Sequence, residues 1–511
     1  QRQMCIRDRH IIDQSIRISW TEKKTYVKLP LIRNPLDLRK KWGSRSNFYQ
    51  AKKLLDVQMK KPIEDKKSVC IFWEEIKTMG FIKRLKDLPV DIQEKIEKSD
   101  ILHVFPWRMV FHPTSVTTPC RMVVDPTMSG LNEFLAKGVN TLHSLQSLLL
   151  NFRSWEWCAS YDIRKMYNQL YLEEDHYKYQ LILWVDDLNP ENPVESYVLV
   201  RAMYGVTSSG NQAETSIRRG ALVMKETHPD GARAILENTY VDDGLPGAQS
   251  KEIIEKTLKE TGEILDAMGF SLKCFTICNQ TELSPKASAD GKCVGVCGMK
   301  WIPSTDQISL ADGEINFNSN IRGKKKDNPH PAKSSKDLDD SIVPSSFQRK
   351  DAQGKVAEVY DLTGLVEPIK MGFKIKIREL ISKDLGWKDL IPESQRPDWI
   401  KIFGQVQDCR LVRWSRAVVP KDAISTTSIR LIETHDGSQH GSTTAIYAGF
   451  ELKDGSYSCQ LIFGRSALGE VDQSTPRNEL NSALLGCHAT YILRNTLGDR
   501  VCEIISVGDS R

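Results

Sequence analysis

The sequence predicts an α+β protein of several domains, and three observations carry that prediction. At 511 residues the chain is too long for one ordinary hydrophobic core. Strand-like runs start at Ile101 and are interleaved with helical stretches to the end of the chain. Acidic residues stand at strand ends and turns in two separate regions, around Asp162 and Asp242 and again around Asp436 and Asp509. A composition of 40% hydrophobic and 27% charged residues is that of a soluble globular protein. No apolar run approaches the ~18 residues of a membrane span, so no membrane partner is expected. The net charge of +5 permits nucleic-acid binding without demanding it, because patches rather than totals hold a phosphate backbone. Twelve scattered cysteines without a signal peptide favour a reducing compartment.

Taken in order, Gln1 to Arg9 joins no periodic segment and looks like translated sequencing-adapter sequence, so 1–24 is expected to be a non-native or disordered start. Residues 25–100 read as a basic helical N-terminal region, with helical patterns over 36–59 and 72–85. Their Lys and Arg form either a solvated face or a nucleic-acid contact. Strands follow at 101–104, 108–113 and 120–125. An apolar helix over 142–152 leads into a buried strand over 155–163, and 164–172 has helical character. An amphipathic helix over 251–268 precedes strands from 269 to 301, closing a unit at 101–311. Residues 312–350, rich in Asn, Lys, Ser and Asp, read as a linker or mobile insertion. Order returns over 351–427, with a helix from 369 to 385. In 428–511, strands at 429–436, 443–452 and 457–464 precede a helix opened by Thr475-Pro476, proline suiting a first helical position. A last strand covers 501–507 and ends at Asp509. The abrupt start and stop both suggest a fragment.

Chemistry concentrates at Tyr240-Val241-Asp242-Asp243, followed by Gly244. Asp-Gly between strand-like runs signals a hairpin. Adjacent side chains of a flat strand face opposite ways, but at a tight turn that alternation breaks and carboxylates can project from the tip. Such a tip suits a hard cation such as Mg²⁺, which takes oxygen ligands. A solvated acidic turn is the competing reading. At ~5% usage per residue type, a given tetrapeptide arises by chance in roughly one chain in three hundred. Eighty residues earlier, Asp162 caps the 155–163 strand. Two such acids can serve a pair of metals that stabilises the attacking and leaving oxygens of an in-line phosphoryl displacement.

Asp162 with aromatic Tyr167 five residues on, and the later Tyr-Val-Asp-Asp, resemble the palm motifs of reverse transcriptases, and most nearly the polymerase of Pao/BEL-type LTR retrotransposons. The resemblance implies a right-hand polymerase with fingers, palm and thumb over 101–311, a Pao-type connection region over 351–427, and a partial ribonuclease H-like α/β domain over 428–511. It implies an RNA-directed DNA polymerase in which Asp162, Asp242 and Asp243 are catalytic and, with Ile163, hold Mg²⁺, Mn²⁺ being the alternative. Arg121, in the strand-like Cys120–Asp125, meets the incoming triphosphate, or else pairs with Asp125; Leu131-Asn132-Glu133 continues the match. Ile163, Arg164, Lys165 and Met166 bind the nucleotide through backbone groups. Tyr167 lies under the sugar and excludes a 2′-hydroxyl, or else is a core tyrosine. Tyr204 and Gly205 match a Phe-Gly-x-x-x-Ser-Pro turn on the template base, with Gly210 where Pro is usual. Val296–Trp301 resembles the strand leading to the thumb and primer grip.

In the last segment Asp436, Glu479 and Asp509 resemble three of the four ribonuclease H metal ligands, with the fourth expected beyond Arg511. Tyr360-Asp361-Leu362-Thr363-Gly364 resembles the start of the Pao connection region, Thr363 replacing the usual Pro. The peptidase name attached to that region needs Asp-Thr-Gly or Asp-Ser-Gly, and neither occurs. Cys274, Cys278, Cys293 and Cys297 form two spaced pairs that suit structural zinc only loosely. Expected partners are an RNA or DNA template with primer and dNTPs; the oligomeric state is not indicated. The implied location is intracellular, a cytoplasmic particle with the nucleus as the alternative. A decayed, non-catalytic nucleic-acid-binding protein and an aspartic peptidase are the competing functions.

Overall fold

The strand Trp157–Ile163 is the axis of the first sheet, with strands pairing along both of its edges. Asp243–Gly244 pairs antiparallel with its C-terminal end and Gly247–Ala248 with its start. Leu272–Ile277 runs antiparallel along the other edge. The computed structural model describes residues 2–111, 120–279, 293–313, 315, 317, 334–338 and 342–508. Helix Lys251–Ala267 backs this sheet. Ser250 caps it by accepting from the Ile253 N–H at 3.3 Å, and Ile254, Leu258, Ile264 and Leu265 bury one helical stripe. Its buried Glu260 accepts from the N–H groups of Asp230 and Gly231 at 2.9 Å, where a carboxylate suits the N-terminus of helix Pro229–Asn238.

The helical region before this sheet is more broken than its periodicity suggests. The pattern over 36–59 divides into Leu38–Trp42 and Phe48–Met59, with Gly43 left-handed at φ 67°. The second helix is Ile63–Thr78, and Ile82–Arg84 is a strand, because Gly80 at φ 68° ends the helix. Stacked Trp73 and Trp184, 4.1 Å between ring centres, join these helices to a second sheet of Ile82–Arg84, Glu195–Leu199, Leu181–Trp184 and Val104–Phe105. Of the expected non-native or disordered start, residues 2–24 are not disordered. Arg2–Gln14 is helical, Ile12 and Ile16 are buried, and Arg219 binds the Asp13 carboxylate at 2.8 Å. Ile16–Ser19 pairs with Lys24–Val27.

What reads as one strand over 296–301 is a hairpin. Val294–Val296 and Met299–Ile302 are joined by Cys297 and Gly298 at φ 46° and 79°. The helix expected over 369–385 is Glu367–Ser382. Of the expected linker, 334–338 holds a 3-10 turn and Val343 and Phe347 are buried; most of the rest lies outside the described residues.

The C-terminal sheet is ordered Tyr457–Leu468, Gly441–Glu451, Ile429–Ser438, Val501–Gly508. Its first three strands are antiparallel and the last pair is parallel, the chain crossing over through helix Thr475–Leu497. This sheet has its own buried cluster, to which Leu150 of helix Leu145–Arg153 also belongs. Arg153 and Arg500 bind it to the approach of the Asp162 strand, and Arg416, ahead of the sheet in sequence, holds the same approach. Buried Arg153 donates to the carbonyls of Leu461 and Ile462. Arg500 donates to Ser154 O at 3.0 Å, and fully buried Arg416 to Phe152 O at 2.9 Å while paired with Asp306. Among the described residues, no helix is long and apolar enough to cross a membrane.

Candidate active site

Strand register brings the first acids together. Asp243 lies directly opposite Asp162, and the Ile163 N–H donates to Asp242 O at 2.8 Å. Tyr240 pairs with Asp243, so the two-residue turn is Val241-Asp242. The expected Asp243-Gly244 turn is therefore displaced by two residues, and Asp243-Gly244 is the returning strand. Val241 holds φ 57°, a left-handed conformation that costs a β-branched residue about 1–3 kcal/mol. Gly244 instead leaves room for a ring, since a Cβ there would lie 2.0 Å from Tyr161 Cζ. The Tyr161 ring is fully buried and its hydroxyl is 2.6 Å from Thr239 Oγ1, so the ring cannot withdraw. Asp162 and Asp242 are half-buried and Asp243 is exposed, an all-oxygen donor set open to a hard cation.

Tyr167 stands beside these acids. Burial, then the negative charges of Asp242 and Glu214, push its phenol up, so the hydroxyl stays protonated at neutral pH. Its ring centre lies 4.8 Å from that of exposed Tyr204. The expected helical character after Asp162 is a short 3-10 turn, Met166–Gln169, entered through Lys165 at φ 43°. The N–H groups of Ile163 and Arg164 already donate to Asp242 O and Ser271 O, and the Lys165 ammonium is 2.6 Å from Glu75. A Cβ on Gly210 would come within 3.1 Å of the Tyr167 hydroxyl, a tight contact that glycine avoids. A cavity of about 160 Å³ is lined there by Tyr167, Gly210, Glu214 and Val241.

Gly205 adopts φ 105°, and a Cβ would meet Val124 O at 2.3 Å. Asn132 fixes this loop by donating to Gly205 O and accepting from the Thr207 N–H, both at 3.0 Å. That role was missed in the sequence, where only the match of Leu131-Asn132-Glu133 pointed to it. Arg121 lies opposite Val110 in the hairpin Trp107–Phe111/Cys120–Val124; its side chain is outside the described atoms. Its alternative partner, Asp125, pairs with Arg108 at 2.7 Å and caps the Met128 N–H.

In the C-terminal sheet, Asp436 is exposed opposite Thr443, and Glu479 is the fifth residue of helix Thr475–Leu497, just past its first turn. The glycine between them was not singled out in the sequence. A Cβ on Gly437 would lie 2.3 Å from Glu479 N, so only glycine lets the helix start come this close to the strand. Gly508 pairs with His435, which brings the end of Val501–Gly508 alongside; Asp509 lies outside the described residues. Glu433, also missed, is buried on the same strand, accepting from Thr444 Oγ1 at 3.0 Å and Ser506 Oγ, with His435 Nδ1 at 3.1 Å.

Comparison with solved structures gives the foamy viral protease-reverse transcriptase dRH in complex with double-stranded DNA. It has a TM-score of 0.50 and 14% identity over 85% of this chain and 61% of that chain. The foamy viral enzyme with an RNA/DNA hybrid scores 0.48 at 15% identity, over 87% and 48% of the two chains. At these identities the likeness is one of fold: a mixed α/β architecture matching retroviral reverse transcriptases. No curated protein matches. A family model matches the C-terminal third of the chain. Residues 348–510 match the Pao retrotransposon-like RNaseH-like domain.

The matched segment spans both the expected connection region and the C-terminal sheet. Its Tyr360–Gly364 motif is a capped turn. Asp361 accepts from the N–H groups of Gly364, Leu365 and Val366 at 2.8, 3.1 and 3.0 Å, leading into helix Glu367–Ser382. That engagement, with the missing tripeptides, leaves the peptidase reading without support. The four zinc-candidate cysteines do not converge either. Among the described residues the cluster that forms is Cys158, Cys278 and Asp306. Asp306 is bound there by Arg416 at 2.6 Å and Trp301 Nε1 at 2.9 Å, a buried ion pair rather than a metal site.

Proposed function

We propose that the chain is the RNA-directed DNA polymerase of a Pao-type retrotransposon, joined to a ribonuclease H-like module. The observation that carries this reading is the cross-strand register of Asp162 with Asp243 beside the Val241-Asp242 turn. Asp162, Asp242, Asp243 and the Ile163 backbone would hold Mg²⁺. When bound, the metal supplies charge neutralisation at a primer hydroxyl and at a triphosphate. The protein's own part is orientation. Tyr167, protonated and packed on Tyr204, excludes a ribose 2′-hydroxyl. Lys165 and Met166 offer backbone N–H groups to phosphate, those of Ile163 and Arg164 being engaged. Arg121 is assigned to the triphosphate on motif alone. Template and primer are read by backbone and shape.

Asp436, Glu479 and Asp509 are the proposed metal ligands for cleaving RNA in a hybrid. Extension of oligo-dT on poly-rA with Mg²⁺ tests the polymerase reading. Extension by the wild-type chain supports it; tight primer–template binding without extension favours the non-catalytic alternative.

A further inference from the structure

One aromatic ring links the Pao segment to the polymerase-like site. Tyr360, 43% exposed, lays its ring on Gly298, where a Cβ would come within 2.4 Å of Tyr360 Cδ1. Gly298 and Cys297 are the two left-handed residues of the 296–299 turn, a conformation that a non-glycine residue such as Cys297 keeps only when its surroundings hold it. Across a cavity of about 430 Å³ the turn faces Asp243 and Tyr240, with Ser160 and Leu245 also lining it. Burial and the charge of Asp243 push the Cys297 thiol up to about 12. Behind Tyr360 the chain is anchored on three sides. Asp361 caps the turn, Gln146 Nε2 donates to Leu362 O at 2.8 Å, and Gly464 N of the C-terminal sheet donates to Thr363 O at 2.8 Å. Gly364 meets Gly464 backbone to backbone, a Cβ there falling 1.8 Å from Gly464 O.

We infer that Tyr360 is a positioning residue for nucleotide addition. It holds the Cys297-Gly298 turn beside Asp243 and so ties the RNaseH-like sheet to the place where a primer end must lie. The inference rests on the polymerase reading for its catalytic half. Its structural half stands alone: a partly exposed ring wedged on a glycine adds little to the core but braces the tip of the Val294–Ile302 hairpin from outside.

The test uses the full chain with Tyr360→Ala and Tyr360→Phe. On poly-rA/oligo-dT, Tyr360→Ala should raise the KM for primer–template about tenfold while the KM for dTTP stays unchanged, and Tyr360→Phe should restore it. Independently, N-ethylmaleimide labelling of Cys297, read by peptide mass spectrometry, should rise about fivefold in Tyr360→Ala against exposed Cys459 as reference. Unchanged Cys297 labelling overturns the contact, whether or not the chain extends primers. Equal gains at buried Cys158 show unfolding and overturn it too. Raised labelling with an unchanged primer–template KM overturns the link to catalysis. Absence of extension by wild type overturns the polymerase reading and that link, while labelling still decides the contact.

Discussion

At Asp243-Gly244 the missing side chain makes room for a ring; at Asp436-Gly437 it makes room for a helix. Both dipeptides lie within strands, and neither glycine adopts a positive φ. In the first site the acids are fixed by hydrogen-bonded register between neighbouring strands, so the geometry is local and stiff. In the second, the Glu479 backbone lies against Gly437, next to Asp436, only because a helix start docks there, so the geometry depends on packing between layers. A site set by register and a site set by docking should respond differently to perturbation.

The largest effect should be acid sensitivity of the first region. Burial lowers His103 and His176 from an ordinary 6.5 to about 4, so both are neutral when folded at neutral pH. The unfolded chain binds more protons between those values. Stability is therefore full above about pH 6.5 and falls as pH drops towards 4, by up to about 3 kcal/mol for each histidine. Urea unfolding from pH 7 to 4.5, with hydrogen exchange in the Val104–Phe105 and Leu181–Trp184 strands, should show the loss there.

Next comes Gly244→Ala. Its Cβ meets a ring locked from behind, so a loss of about 3 kcal/mol is expected, with primer extension lost as well. Gly437→Ala meets the backbone of a helix start tied to the strands through Asn478, so about 2–3 kcal/mol is expected, with primer extension retained. Equal losses of extension in both variants would break the comparison. The smallest effect is Tyr167→Ala, which should relax discrimination against ribonucleotides about tenfold, or ~1.4 kcal/mol, in single-nucleotide insertion. Unchanged discrimination with extension preserved would return Tyr167 to core packing.

That Asp162 would meet Asp242-Asp243 was legible because strand ends and acid spacing are written locally. What escaped depends on partners distant in sequence. Asp-Gly was read as a turn because the local signal is strong, but pairing with Asp162 moved the turn to Val241-Asp242. Gly437, Asn132 and Glu433 carry no signal until a helix, a loop or a second strand is brought against them. The helix over 36–59 was broken by Gly43, a residue whose left-handed φ overrides the flanking periodicity. The departure at Gly210 was visible in the sequence, but the Tyr167 hydroxyl beside it was not.

Asp242 and Glu479 are proposed to serve two separate reactions, and a crossed assay separates them. Asp242→Asn and Glu479→Gln would each be measured for extension of a DNA primer on an RNA template and for cleavage of the RNA strand of a preformed hybrid, in Mg²⁺. Asp242→Asn should lower extension by about 10³-fold, ~4 kcal/mol, while primer–template binding stays within about twofold, because the proposed metal ligand rather than a fold element is removed. Glu479→Gln should leave extension intact and abolish whatever hybrid cleavage the wild-type chain shows. Extension by Asp242→Asn at a rate close to wild type would contradict the proposal.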